Sequence, residues 1–214
     1  MKRHTRIEII LILLVAMTSM GFPGAALLSA ESLAGEAKTE LDRLFNEMNV
    51  LRMVIAAEPI RFKLKDLEGR EATLSDYKGK IVFLNFWTTW CPPCRIEMPS
   101  MQKLHQEFMG QDFVMVAINL QESESQVKNF FKEYNLTFTA LLDSDGEVGT
   151  RYKIYSIPTT LILDKEGRII AAAVGPRQWD SKKSIALFDH LVNQYVATPS
   201  AQAASLAMQT GNSW

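Results

Sequence analysis

The chain has 214 residues, 47% hydrophobic and 22% charged, with a formal net charge of -1. That length suits one folded core with appendages, and that balance excludes a wholly disordered chain and a polytopic membrane protein, and leaves no electrostatic reason to bind nucleic acid. With only two cysteines, Cys91 and Cys94, a framework of several disulfides and a four-cysteine zinc site are both excluded.

Lys2, Arg3 and Arg6 precede an uncharged run from Ile9 to Ala30, densest at Ile9–Met17. Basic residues ahead of an apolar segment are the pattern of an export signal, so residues 1–30 are expected to be a signal sequence or membrane anchor. Pro23 followed by Gly24-Ala25-Ala26 suits cleavage, but the run is also long enough to cross roughly 30 Å of hydrocarbon, and the reading leans towards an uncleaved anchor. Positive residues before the span would keep the N-terminus cytoplasmic, which makes the remainder periplasmic or otherwise extracytoplasmic.

Residues 31–57 are read as a spacer. Within it Leu41, Leu44, Phe45, Met48, Leu51, Val54 and Ile55 recur at three- and four-residue steps, which predicts an amphipathic helix from Thr39 to Ile55, with Thr39 able to cap it and Pro59 beyond its end. Two heptads are too few for a coiled coil, so the helix either packs on its own domain or docks a partner.

The core is expected over 58–196. Ile60–Leu64 and Glu71–Leu74 flank Glu68-Gly69 as a short hairpin, followed by an apolar run Ile81–Trp87, a helical stretch Cys94–Met109, a run Phe113–Leu120 and a helical stretch Glu124–Tyr134. Both runs are apolar on consecutive positions, as in strands covered on both faces, so this β-α-β-α order predicts a partly parallel sheet. Thr159–Leu163 and Arg168–Val174 flank Asp164-Lys165-Glu166-Gly167 and should pair antiparallel. A last helix is expected over Ser181–Val196, and 197–214, small, polar and aperiodic, is expected to be a disordered tail.

Trp90-Cys91-Pro92-Pro93-Cys94 follows the first core strand and opens a helix. A thiol at a helix N-terminus meets unpaired N–H groups and the positive end of the dipole, which favour thiolate, so Cys91 is the expected nucleophile. Cys94, one turn inside, is expected to be more buried and to act as the resolving thiol. Pro92 and Pro93 stiffen the loop and remove two N–H donors from the neighbourhood of the thiolate. A disulfide between residues three apart closes so small a loop that stability is a weak reason for it.

Asn85-Phe86-Trp87-Thr88-Thr89-Trp90-Cys91-Pro92-Pro93-Cys94-Arg95-Ile96-Glu97-Met98-Pro99 resembles the active-site segment of the TlpA/ResA-like thioredoxin family, and Ile157-Pro158-Thr159-Thr160 resembles its second signature. The resemblance runs from about Phe62 to Tyr195. It implies an α/β thioredoxin fold, a mixed central sheet flanked by helices with an added N-terminal β-hairpin. It also implies a redox-active Cys91–Cys94 pair and a cis Pro158 lying against the sulfurs, with Ile157 offering its backbone to an extended substrate segment. Trp90, Pro92 and Pro93 complete the implied substrate-binding surface. Where thioredoxins carry a buried Asp, this chain has Asn85, which takes no proton. The resemblance places the Glu97 carboxylate beside the thiols, where it would raise thiol pKa values and could shuttle the proton; the alternative is an exposed surface Glu. Glu122, after the second core strand, is a weaker candidate for the same rim, and Trp87 and Trp90 read as packing and docking surface.

The implied activity is an extracytoplasmic disulfide reductase acting on protein thiols such as those of apocytochrome c, fed by a membrane thiol carrier, without cofactor or metal. A thiol oxidase and a non-catalytic binding module stand as alternatives. A peroxidase motif, Pro-x-x-x-Thr-x-x-Cys, would fit Thr88 but finds Leu84 at the Pro position, and Arg95 after Cys94 departs from the Cys-x-x-Cys-His of haem attachment. A metal site joining the cysteines to His105 is disfavoured, since His105 lies about three turns along the helix.

Overall fold

The computed structural model describes residues 40–53 and 59–193, and the leader and tail expectations lie outside them. Among the described residues no helix is long and apolar enough to cross a membrane.

Among the described residues eight strands form one sheet: β1 (Leu51–Arg52), β2 (Lys63–Asp66), β3 (Glu71–Thr73), β4 (Ile81–Trp87), β5 (Phe113–Leu120), β6 (Thr139–Asp143), β7 (Thr159–Leu163) and β8 (Ile169–Val174). Their spatial order is β1-β8-β7-β4-β5-β6-β2-β3. β4 pairs β5, and β5 pairs β6, in parallel; the other five pairings are antiparallel, so the sheet is mixed. The helices are α1 (residues 40–47), α2 (Pro92–Glu107), α3 (Glu124–Glu133), α4 (Glu147–Arg151) and α5 (Lys182–Asn193).

β4 is buried along its whole length, and its side chains divide by the two-residue period of a strand. Ile81, Phe83 and Trp87 enter one core with Met98, Met101 and Leu104 of α2, Phe130 of α3, and Leu187, Phe188 and Leu191 of α5. Val82, Leu84 and Phe86 enter the other, with Val148, Tyr152, Phe62 and Leu74. Covering on both faces is why the run is apolar at every position except Asn85, and that exception stands at the active site.

Both predicted hairpins are present and turn on one pattern, Asp-x-Glu-Gly-Arg, at Asp66–Arg70 and Asp164–Arg168. Each Asp Oδ1 accepts from the backbone N–H groups two and four residues on, and each Arg Nε donates to the Asp Oδ2. Gly69 and Gly167 take φ of 78° and 82°, which glycine adopts without steric cost. The first strand of the N-terminal hairpin begins three residues later than expected, because Ile60 and Phe62 pack on the second core and the Ile60 carbonyl accepts from the Tyr152 hydroxyl.

The helix expected over Thr39–Ile55 is corrected: within the described residues it ends at 47, and Leu51–Arg52 is a strand on the edge of the sheet beside β8. Asn49 is the cause. It takes φ 51°, its N–H bonds the Asn46 carbonyl, and the Val50 N–H bonds the Phe45 carbonyl, a Schellman stop with asparagine in the left-handed position. Leu41, Leu44, Phe45, Met48 and Val50 are buried in the first core, so α1 packs on its own domain. Asn49→Gly is expected to leave stability nearly unchanged, and Asn49→Val to cost about 1–2 kcal/mol in denaturant unfolding, the penalty of a β-branched residue at positive φ. An equal cost for both would show that the turn does not stop the helix.

Candidate active site

β4 delivers the chain to the site. After Trp87, whose ring is fully buried against Phe130 and Phe131, the loop Thr88-Thr89-Trp90 leads to Cys91, the N-cap of α2. Pro92 and Pro93 occupy the first helical positions, where an N–H would lack an intrahelical partner in any case. The Cys94 N–H donates to Cys91 Sγ at 3.3 Å, and the Cys91 N–H donates to the Thr88 carbonyl. Cys91 and Cys94 are joined as a disulfide with their Cα atoms 5.3 Å apart. Both are enclosed, Cys94 entirely and Cys91 at 3% exposure, whereas Trp90 stands 68% exposed at the rim.

The Ile157–Pro158 peptide is cis. The β4–β7 register pairs Phe86 with Thr159, which puts Pro158 and Ile157 at the end of β4 that leads to the cysteines. The Gly175 N–H donates to the Pro158 carbonyl at 2.8 Å, and the Thr159 hydroxyl to that of Ser156 at 2.7 Å, so the turn is tied at both ends.

Glu97 is not on the surface. It is 1% exposed, and its carboxylate accepts three hydrogen bonds: from Asn85 Nδ2 (3.0 Å) to Oε1, and from Trp179 Nε1 (3.0 Å) and the Arg177 backbone N–H (3.1 Å) to Oε2. Burial pushes its pKa up to about 7, against the opposing pull of those three donors and the Arg177 charge. Arg177 and Trp179 were not singled out from the sequence. The sequence carries no signal that singles them out: a buried indole N–H usually takes an acceptor, as Trp179 does, but the equally buried Trp87 Nε1 has none among the described residues. Arg177 also ties the site to α1, its Nε donating to the Met48 carbonyl and its Nη2 to that of Asn49. Trp179→Phe removes one of the three donors, so the Glu97 midpoint, followed by carboxyl carbon NMR, is expected to move further up; a downward move would show that the indole does not stabilise the carboxylate.

Glu122 is buried at the other side of the loop, where it accepts from the Thr89 N–H and hydroxyl and from Asn119 Nδ2. It fixes the approach to Cys91. His105, on the last turn of α2, has its ring edge-on to Phe138, and burial holds its pKa below the usual value. An enclosed disulfide can exchange electrons through its dithiol form, and a carboxyl poised near neutrality three residues after Cys94 on the same helix can hold or release a proton.

Residues 55–172 match the sequence model of the AhpC/TSA family. The chain is 44% identical over 92 residues to "Thiol-disulfide oxidoreductase ResA" of Bacillus thuringiensis subsp. konkukian; the matched segment covers 43% of this chain and 53% of that protein, about half the length of the curated relative. Among solved structures it is similar to StoA from Bacillus subtilis, at 34% identity and a TM-score of 0.53, covering 61% of this chain and 98% of that one. It is also similar to a secreted Mycobacterium tuberculosis disulfide oxidoreductase, at 26% identity and a TM-score of 0.51, covering 61% of this chain and 93% of that one.

Proposed function

The chain belongs to the AhpC/TSA family, as a ResA-like member of the thioredoxin superfamily, and from that premise we propose that it is a thiol–disulfide oxidoreductase that reduces protein disulfides outside the cytoplasm. The observation that carries the reading is the Cys91–Cys94 disulfide at the N-terminus of α2, with a buried carboxyl on the same helix.

In the reduced protein the Cys91 thiolate attacks a partner disulfide, one partner sulfur leaves as thiolate, and a mixed disulfide forms. Cys94 then attacks Cys91 Sγ, the second partner sulfur leaves, and the Cys91–Cys94 bond closes. Two electrons have passed to the partner, and Glu97 serves as the base that takes the Cys94 proton for delivery to the departing thiolate. Trp90, Pro92, Pro93, Ile157 and Pro158 form the surface on which the partner lies, and a membrane thiol carrier restores the dithiol. The substrate favoured by the family resemblance is the cysteine pair of apocytochrome c.

The direction follows from Glu97. A buried carboxylate near the thiols disfavours thiolate, which favours the disulfide form and makes the dithiol the better reductant. The helix N-terminus at Cys91 pulls the other way and is the one feature favouring a thiol oxidase. Export and membrane anchoring are proposed for residues 1–30, on the basic residues and apolar run there and on the secreted relative. Cys94→Ser removes the resolving thiol, so incubation with an oxidised peptide carrying Cys-x-x-Cys-His is expected to leave a stable mixed disulfide on Cys91. No adduct, with Cys91 still free to react with a small disulfide reagent, would favour a binding module.

A further inference from the structure

The buried carboxyl, its asparagine and a threonine form a hydrogen-bonded chain whose donors are arranged for one protonation state of the carboxyl. Asn85 Nδ2 donates to Glu97 Oε1 at 3.0 Å and to Thr160 Oγ1 at 2.9 Å, while Asn85 Oδ1 is buried with no partner. Asn85 and Thr160 stand opposite each other on β4 and β7 and are both within 1% of full burial, so neither side chain can turn to solvent for relief.

That arrangement suits an ionised Glu97, which accepts from all sides. When a proton is added, Oε2 cannot carry it, because the Trp179 indole N–H and the Arg177 backbone N–H already point at that oxygen. The proton goes to Oε1, whose neighbour is Asn85. There it meets another N–H, two donors facing each other in a dry site, which costs the full desolvation of the unpaired group.

We propose that the Asn85 amide is a proton-gated switch, which points Nδ2 at ionised Glu97 and turns by 180° about its last torsion to present Oδ1 when Oε1 takes a proton. In the turned state Oδ1 accepts from both the Glu97 hydroxyl and the Thr160 hydroxyl, which reverses from acceptor to donor, as a hydroxyl can. The acceptor that is idle in one state is thus doubly used in the other. Asn85 and Thr160 are positioning residues: the turned amide gives the Glu97 proton an acceptor at a buried site, while its NH₂ takes the place in which Oδ1 lies without a partner when Glu97 is ionised. The change adds one proton at Oε1 and breaks no covalent bond. Arg177 is the charged group acting on Glu97 in this form of the protein; Asn85, Thr160 and Trp179 are uncharged, and Cys94, three residues before Glu97 on α2, does not titrate while it is in the disulfide.

The inference deepens the proton-carrying role given to Glu97 above, yet its test needs no thiol partner, so it can fail while the exchange activity stands. The full chain, in its disulfide form and labelled with ¹⁵N and ¹³C, is titrated from pH 5 to 9 by NMR. The Asn85 side-chain amide is expected to shift with the same midpoint as the Glu97 carboxyl carbon. In Glu97→Gln the Gln oxygen must accept from Trp179 and Arg177, so its NH₂ faces Asn85 and locks the amide in the turned position. The Asn85 amide of that variant should lie near the low-pH position of the native protein at every pH. An Asn85 amide that ignores the Glu97 titration, or that sits at the native high-pH position in Glu97→Gln, would overturn the switch. If the variant does not fold, NOE contacts from the Asn85 NH₂ protons to Thr160 in the native protein replace it: contacts that persist unchanged from pH 9 to pH 5 would overturn the switch.

Discussion

Cys91→Ser is expected to abolish thiol–disulfide exchange, lowering the rate by about 10³-fold or more, while the protein stays folded. The reason for the rate is that a serine hydroxyl at that position supplies no thiolate, and the thiolate is the attacking species. The reason for the intact fold is loop size: the lost Cys91–Cys94 bridge spans three residues, so its chain-entropy contribution is about 2 kcal/mol. The remaining support does not pass through the sulfurs, since β4 is buried along its length and α2 is held by Met98, Met101 and Leu104. Circular dichroism and exchange rates on the same sample check both parts. Residual exchange within tenfold of the native rate would mean that Cys91 is not the nucleophile.

The second large effect concerns pH. Glu97 has a folded pKa raised to about 7 from the ordinary 4.5, chiefly by burial. Below about pH 4.5 the carboxyl is neutral in both folded and unfolded chains and contributes no penalty. As pH rises through 4.5 to 7 the unfolded chain ionises first, the folded chain holds its proton, and stability falls; above about 7 both are ionised and the loss levels off. At 1.36 kcal/mol per pKa unit the loss amounts to about 3 kcal/mol. Glu97→Gln removes the ionisation, so its stability should match the native protein near pH 4 and exceed it by up to about 3 kcal/mol near pH 8. Comparing the two proteins in denaturant cancels the other titrating groups, including Asp143, whose carboxyl burial also holds above its usual range. A constant difference between the two across that window would show that Glu97 ionises freely in the folded state.

These effects rest on residues of unequal visibility in the sequence. β4 and β5 were legible because strands covered on both faces leave a continuous apolar signature, and α2 because Cys91 and two prolines mark its start. The Cys91 and Cys94 pair was legible from its spacing at the start of a helix, and Glu97 was singled out through the family resemblance, with an exposed surface Glu as the alternative. The environment of Glu97 was not. Arg177 and Trp179 lie 80 and 82 residues away along the chain and reach the carboxylate only because β8 returns beside β7. β1 was hidden inside an apparent helix, because Leu51 continues the period that Asn49 interrupts through its backbone alone. No element was assigned over 135–158 either. β6 there is only five residues long and ends on Asp143, a buried carboxylate that accepts from the Val148 and Gly149 N–H groups and starts the five-residue α4. Such short elements are set by tertiary hydrogen bonds and carry little periodicity.

The reduction potential of the Cys91/Cys94 couple tests the central claim most directly, measured by equilibrating the full chain with thiol buffers of defined poise and quantifying the dithiol. A disulfide reductase with a buried carboxyl near its thiols should fall near thioredoxin, on the order of -270 mV; a value near about -120 mV, that of a strong disulfide-forming oxidant, would contradict it.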